Sequence, residues 1–337
     1  MELNFSGAVT RVVPVEEVTQ VGQIRREALA LADQIGFDET DAGRVALAAT
    51  ELATNVLKHG RGGRMLLSTV CGRGQLGVEL CALDSGPGFS LAECLPDGYS
   101  TAATQGLGLG AIRRQARVLE VWSDAKGAVA VARIYPSRSA PDVDVPYGAL
   151  RVPMRHELCC GDAWHLRAEA GQVAVSIIDG LGHGLPAADA SQAGVAALAQ
   201  GRMADAPGLI GVMHAGMSGT RGGAAAVACI RDGSDVQFAG IGNISASLCE
   251  PTGSRGMASH PGIVGAQYRK AQPFQFHAAA GTLLVMHSDG LQARWSLRDY
   301  PGLFHRHPAL IVAVLQRDFD RGRDDAGIVA LRLGDLH

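Results

Sequence analysis

Val173-Ala-Val-Ser-Ile-Ile-Asp179-Gly-Leu-Gly-His-Gly184 is the stretch from which the rest of the chain can be read. A short apolar run rich in β-branched residues predicts a buried strand over 173–178. An acid and a glycine-rich loop follow at its end, where chemistry is usually carried. Downstream, 224–230, 236–240, 283–287 and 328–333 are further short apolar runs flanked by Gly or Asp. Helices are predicted over 186–203 and 309–321. Other acids stand beside such runs: Asp162 in Cys-Gly-Asp162-Ala-Trp, Asp289 in His-Ser-Asp289-Gly, and Asp324-Asp325 before Ala-Gly-Ile-Val. A lone acid at a strand end ordinarily forms a turn or caps a helix. Four such positions in one region instead suggest hard oxygen ligands for Mg²⁺ or Mn²⁺. Two such ions can hold a water-derived nucleophile and a phosphate for in-line attack.

Upstream, 137–146 is rich in proline and has no helical period, so it reads as a linker between two domains, 1–136 and 147–337. The first half predicts a strand over 9–15, helices over 18–35 and 38–58, strands over 65–71 and 76–83, a helix after Gly110 and a last strand over 128–134. Three clusters stand out. Glu51-Leu-Ala-Thr-Asn55 puts a carboxylate and an amide four apart on one helix face. Asp84-Ser-Gly86-Pro-Gly88 follows a strand, with an acceptor for an amino group and glycines that admit a ligand to the backbone. Gly106-Leu-Gly108-Leu-Gly110 runs into a helix, whose N–H groups suit phosphate. Taken singly, each also reads as a solvated face or a turn.

With 47% hydrophobic residues and a net charge of -3, the chain is neither disordered nor a nucleic-acid binder. No apolar run is long enough to span a bilayer. The opening residues have no basic stretch followed by an apolar one, so a cytoplasmic protein without a membrane partner is expected. The 7 cysteines show no zinc-type spacing and read as reduced packing residues. His59 reads as a helix-end residue, His183 as part of a glycine turn, and Asn243 as a loop former.

In their order, the first three clusters resemble the GHKL ATPase superfamily. The resemblance is nearest to the anti-sigma switch kinases of the RsbW and RsbT group, to which Asp97-Gly-Tyr-Ser-Thr101 adds. It implies an α/β sandwich with ATP and Mg²⁺ as cofactors. Asn55 would hold Mg²⁺, Glu51 would be the general base, and Asp84 would read the adenine amino group. Gly86 and Gly88 would make room for the base, while Gly106, Gly108 and Gly110 would wrap the phosphates. One departure is Ala128, where the family usually has Thr, which weakens the implied ATP affinity. In the second half, Asp179-Gly-Leu-Gly-His-Gly184, Ala239-Gly-Ile-Gly-Asn243 and Ser288-Asp-Gly290 resemble the SpoIIE/RsbX branch of the PPM metal-dependent protein phosphatases. That implies an α-β-β-α sandwich and two Mn²⁺ or Mg²⁺ ions. Asp179 would bridge the ions, Asp162 and the Gly180 carbonyl would serve one, and Asp289 and Asp324 the other, with Asp325 as runner-up. The fold class is then α+β in two domains. The joint reading is a bifunctional Ser/Thr kinase and phosphatase acting on STAS-domain regulators, with a sigma factor or other output protein downstream and a homodimer as a family trait. The alternative is a nucleotide-tuned anti-sigma-type binding module fused to a phosphatase for a different phosphoprotein.

Overall fold

The computed structural model describes residues 2–89 and 108–334. It divides into two units, Thr10–Asp144 and a second made of Met1–Val9 with Val145–His337. The first strand, β1 (Leu3–Phe5), therefore belongs to the second unit, with Leu3 opposite Ala168. The sequence pattern alone groups these residues with the first domain, 1–136. Physical contacts decide otherwise: Leu3 is buried, the Phe5 ring meets Trp164 edge-on at 5.7 Å, and Asn4 Oδ1 lies 2.7 Å from His165 Nε2. A three-residue strand carries no sign of its partner in its own sequence.

The first unit consists of β2 (Arg11–Val15), α1 (Val18–Gln34), α2 (Glu39–His59), β3 (Gly63–Cys71), β4 (Leu76–Asp84), α3 (Leu109–Gln115), β5 (Val118–Asp124) and β6 (Gly127–Ile134). Its antiparallel sheet has the order β2-β3-β4-β6-β5. The apolar stripes of α1 (Ile24, Leu31) and α2 (Val45, Leu52, Val56) share a core with Met65, Leu67 and Leu80 of the sheet. Asp38 starts α2 by accepting from the Asp41 N–H at 2.8 Å, a cap that contributes about 1 kcal/mol. β5 was not foreseen, because Val118-Leu-Glu-Val-Trp-Ser-Asp124 alternates weakly.

The expected linker is held rather than loose. Asp144 accepts from Arg133 Nη1 at 3.0 Å and from the Tyr135 hydroxyl at 2.7 Å. The Arg73 N–H donates to the Val143 carbonyl. Prolines end regular structure, but they do not prevent burial.

The second unit continues with β7 (Tyr147–Val152), β8 (Asp162–Glu169), β9 (Gln172–Gly180), α4 (Leu185–Gln200), α5 (Ala206–Gly216), β10 (Gly223–Arg231), β11 (Asp235–Ile241), β12 (Ser245–Glu250) and β13 (Gly253–Met257). It ends with β14 (Gly262–Ile263), β15 (Gln267–Tyr268), β16 (Phe274–His277), β17 (Leu283–His287), α6 (Pro308–Phe319) and β18 (Ala326–Arg332). One sheet has the order β1-β8-β9-β10-β11-β16, the other β13-β12-β17-β18-β7. The two face each other where β7 and β18 meet β8, and β18 also touches β9. α4 and α5 cover the first sheet through Ala190, Leu198, Leu209 and Met213. α6 covers β7 and β18. This is an α-β-β-α sandwich, so the two-domain α+β class holds. α5 escaped the sequence reading because Pro207, Gly208, Gly211 and Gly216 look like turn signals. Its start is nevertheless well made, with Asp205 accepting from the Gly208 N–H and Pro in the first turn. Among the described residues, no helix is long and apolar enough to cross a membrane.

Candidate functional site

In the first unit, a cavity of about 340 Å³ opens between α2 and the sheet. Leu52, Val56, Ala82, Leu109, Val121 and Ala130 give it apolar walls. Asn55, Asp84 and Gly88 are its polar or backbone elements, and Lys58 and His59 from the last turn of α2 add basic groups. Asp84 ends β4 and is held from behind: Oδ1 accepts from the Gly86 N–H at 2.9 Å and the Ala128 N–H at 3.0 Å. The other oxygen is not committed to these bonds. An apolar slot ending in a carboxylate suits a flat heterocycle with an exocyclic amino group. Position 128 contributes its backbone N–H, which alanine supplies as well as threonine would.

Glu51 and Gly108 form one contact. Gly108 has φ 62° at the N-cap of α3, and a Cβ there would stand 2.0 Å from Glu51 Oε2. That left-handed backbone favours glycine, and any side chain there would have to push the Glu51 carboxylate aside. Gly88, also at positive φ, would drive a Cβ to 2.2 Å from the Asp124 carbonyl. Gly110 is exposed in the first turn of α3 and does not line the cavity. Gly106 and Asp97–Thr101 lie outside the described residues.

The second unit holds an acidic cavity of about 630 Å³. Asp179, Asp289 and Asp324 are in its wall, with Gly182, His183 and Asn243. Asp162 stands opposite Asp179 in the β8–β9 ladder and is 1% exposed. It accepts from the Ser288 hydroxyl at 2.5 Å, while Ser288 Oγ accepts from the Gly327 N–H. Asn243 Nδ2 donates to Asp289 Oδ2 at 2.7 Å. Gly180 is buried beside Gly161 and donates to its carbonyl.

The adjacent acids Asp324 and Asp325 have different environments. Asp325 is 3% exposed and both of its oxygens are taken, Oδ1 by the Met154 N–H and Oδ2 by the Gly161 N–H, each at 2.7 Å. Asp324 is exposed in the cavity wall and accepts from the Asp325 N–H.

Burial, with Asp289, Asp324 and Asp325 close by, pushes the Asp179 carboxyl up to about 7. Burial and the neighbouring Asp179 raise Asp162 well above the carboxylate range. Burial, and more weakly Asp289, raises Asp324. Such mutual repulsion is relieved by cations, and all the donors are hard oxygens. The residues thus fit a divalent metal site in donor chemistry. Among the described residues, no three Asp, Glu, His or Cys side chains already enclose a single point; the acids line a wall instead. His183 is exposed and its Nδ1 meets Glu157 at 3.2 Å. Burial raises the Cys160 thiol well above its usual range, which suits a packing residue and not a nucleophile.

Sequence reasoning missed the supports. Ser288 was seen only as a motif letter, and Met154 and Gly161 not at all, because a backbone N–H leaves no signature in the residue type. Arg151 was missed too: its buried guanidinium donates to the Asp162 and Cys160 carbonyls. A buried Arg inside the apolar run of β7 was the available signal.

Comparison with known proteins follows this division. Residues 15–134 match the histidine kinase-like ATPase domain family. Serine/threonine-protein kinase RsbT of Bacillus subtilis (strain 168) is 33% identical over 85 residues, 25% of this chain and 64% of that protein. The match thus spans less than two thirds of the relative's length. Among solved structures, a chain from work on the bacterial stressosome is 24% identical, with a TM-score of 0.50, over 55% of this chain and 97% of its own. That share is too large for residues 10–144 alone, so the shared fold includes the two-sheet unit. RsbX in complex with magnesium is 21% identical over 55% of this chain and 94% of its own, with a TM-score of 0.49.

Proposed function

We propose that this chain, whose residues 15–134 carry a histidine kinase-like ATPase domain, is a phospho-switch with both activities: a Ser/Thr kinase and a metal-dependent Ser/Thr phosphatase for STAS-domain partner proteins. The observation that carries the reading is the pairing of sites on one chain. One unit closes an apolar slot on Asp84, and the other gathers Asp179, Asp289 and Asp324 in one cavity wall.

In the kinase half, Asp84 accepts from the adenine amino group and the apolar walls sandwich the base. Asn55 would hold Mg²⁺, which would supply charge neutralisation for the ATP phosphates. Glu51 takes the proton from a partner Ser or Thr hydroxyl as that oxygen bonds to the γ-phosphorus and ADP leaves. Phosphoryl transfer rests mainly on such positioning. Gly108 keeps the space in front of Glu51 clear.

In the phosphatase half, Asp179, Asp162 and the Gly180 carbonyl would hold one divalent cation, and Asp179, Asp289 and Asp324 a second, Mn²⁺ or Mg²⁺. Bound there, the cations supply Lewis acidity, lowering the pKa of water and neutralising phosphate charge. Asp325 braces the Met154 and Gly161 backbone, and Asn243 orients Asp289. The buried Ser288 hydroxyl fixes one oxygen of Asp162.

The test is a phosphorylation assay on STAS proteins encoded beside this chain, with ATP and Mg²⁺, comparing wild type, Glu51→Gln and Asp179→Asn. Phosphoprotein should build up with Asp179→Asn, remain low with wild type and vanish with Glu51→Gln. Equal build-up with wild type and Asp179→Asn means that the phosphatase serves another phosphoprotein. No phosphoprotein with any variant makes the first unit a nucleotide-tuned binding module.

A further inference from the structure

A second cavity, of about 350 Å³, lies beside the acidic one and plays no part in the chemistry above. The two share Gly242, Asn243 and Ser259 in their walls. The strand register explains its polar character. Ser245 is opposite His287, Ser247 opposite Gly256, and Cys249 opposite Ser254. Residues two apart on a strand and directly opposite across a ladder share a face, so Ser245, Ser247, Ser254 and His287 lie on one face of β13-β12-β17. Helix α6 packs on β7 and β18, at the other end of that sheet. Among the described residues, the hydroxyls of Ser245, Ser247 and Ser254 make no hydrogen bond. His287 is fixed at both nitrogens: Nε2 accepts from Trp295 Nε1–H at 3.2 Å and Nδ1 donates to the Ser288 carbonyl at 2.7 Å. The cavity thus has a rigid floor and uncommitted hydroxyls on its wall.

We infer that this side cavity binds the polypeptide flanking the phosphoresidue of a protein substrate, with the Ser245, Ser247 and Ser254 hydroxyls bonding to its backbone amides and small polar side chains. The inference rests on the phosphatase reading of the acidic cavity. A phosphoserine placed there is part of a chain, and consecutive residues are less than 4 Å apart along it, so its neighbours must enter an adjoining space. Among the described residues, Gly242, Asn243 and Ser259 form the wall shared by both cavities, and Asn243 also holds Asp289. Hydroxyls that donate and accept suit a peptide backbone, which offers both groups at every residue. A small aryl phosphate reaches the acidic cavity without needing this space.

The test compares hydrolysis of p-nitrophenyl phosphate with hydrolysis of a phosphoserine peptide by wild type and a Ser247→Leu/Ser254→Leu variant. Peptide kcat/KM should fall about tenfold, through KM, which is what one or two lost hydrogen bonds amount to. Aryl phosphate hydrolysis and the melting temperature should be unchanged. Equal loss on both substrates, or no loss on either, overturns the inference. If wild type hydrolyses neither substrate, the phosphatase reading fails by itself. Binding of a fluorescein-labelled phosphopeptide to Asp179→Asn, with and without the two leucines, then decides the side cavity separately: weaker binding with the leucines supports it, and equal binding overturns it. A Ser247→Ala/Ser254→Ala variant, which fills nothing, should show a smaller loss in the same direction.

Discussion

Asp324 and Asp325 are neighbours of the same type, yet replacing each with Asn should break different things. In Asp325→Asn, the amide keeps one oxygen for one backbone N–H and turns an NH₂ toward the other. At either orientation, Met154 or Gly161 faces a donor, and the surviving bond loses its charge. One charge-assisted bond contributes about 1.5–3 kcal/mol. Removing the Asp325 charge also relieves repulsion on Asp179 and Asp162, returning about 1 kcal/mol. The net loss is about 1 kcal/mol, which for a unit of this size lowers the melting temperature by roughly 2–4 °C. Asp324→Asn changes an exposed group and should shift stability by no more than about 0.5 kcal/mol. It should instead weaken Mn²⁺ binding and phosphatase turnover. Thermal unfolding without metal, followed by calorimetric Mn²⁺ titration, separates the two effects. The reasoning is refuted if Asp325→Asn melts with wild type, or if Asp324→Asn binds Mn²⁺ as wild type does.

Other outcomes follow from single contacts. Asp84→Asn should weaken ATP binding about 10- to 100-fold, since an amide replaces a charged acceptor; equilibrium dialysis giving an unchanged affinity counts against the base-reading role. Asn243→Ala, which releases Asp289, should reduce Mn²⁺ affinity about 10- to 100-fold, as lost outer-shell contacts do; calorimetry showing no change would remove it from the site. Burial, with Arg167 nearby, pushes the His165 pKa down from 6.5 to about 4. Between these values the unfolded chain binds a proton that the folded one does not. His165 should therefore cost the second unit up to about 3 kcal/mol as the pH falls from 6.5 toward 4, a loss opposed by Asp179, whose raised carboxyl takes up a proton in the folded unit over the same range. Lowering the pH from 7 to 5 should move the urea midpoint of wild type further toward instability than that of His165→Gln, and equal shifts refute the assignment.

Much of the site was legible because its residues announce themselves. Asp84 followed by Gly86 and Gly88, and Asp179 followed by Gly180, Gly182 and Gly184, are acids beside glycine turns at the ends of apolar runs. The structure puts Asn55 with Asp84 in one cavity, and Asp179 with Asp289 and Asp324 in another. What stayed hidden was whatever depends on tertiary contact. Asp324 and Asp325 differ in burial and in the backbone donors around them, which no spacing records. Ala128 departs from the expected residue type, and the bond its backbone N–H makes to Asp84 leaves no trace in that type. α5 was concealed by its glycines, and β5 by an alternation too weak to stand out. The assignment of β1 needed its register against β8, a pairing between distant parts of the chain.

That last pairing imposes an order on biosynthesis. Leu3–Phe5 leave the ribosome before their ladder partners, Leu166–Ala168, which emerge only after the whole of Thr10–Asp144. Domains generally fold as units during synthesis, N-terminal first. The ATPase-like unit can thus mature on a nascent chain whose opening strand is still waiting, and the two-sheet unit is complete only when that strand docks. Separating the halves at residues 137–146 would therefore yield a second half with a bare β8 edge. That edge would offer unpaired backbone groups to any other strand it meets, and expressing Val145–His337 alone should give a protein prone to self-association until residues 1–9 are supplied.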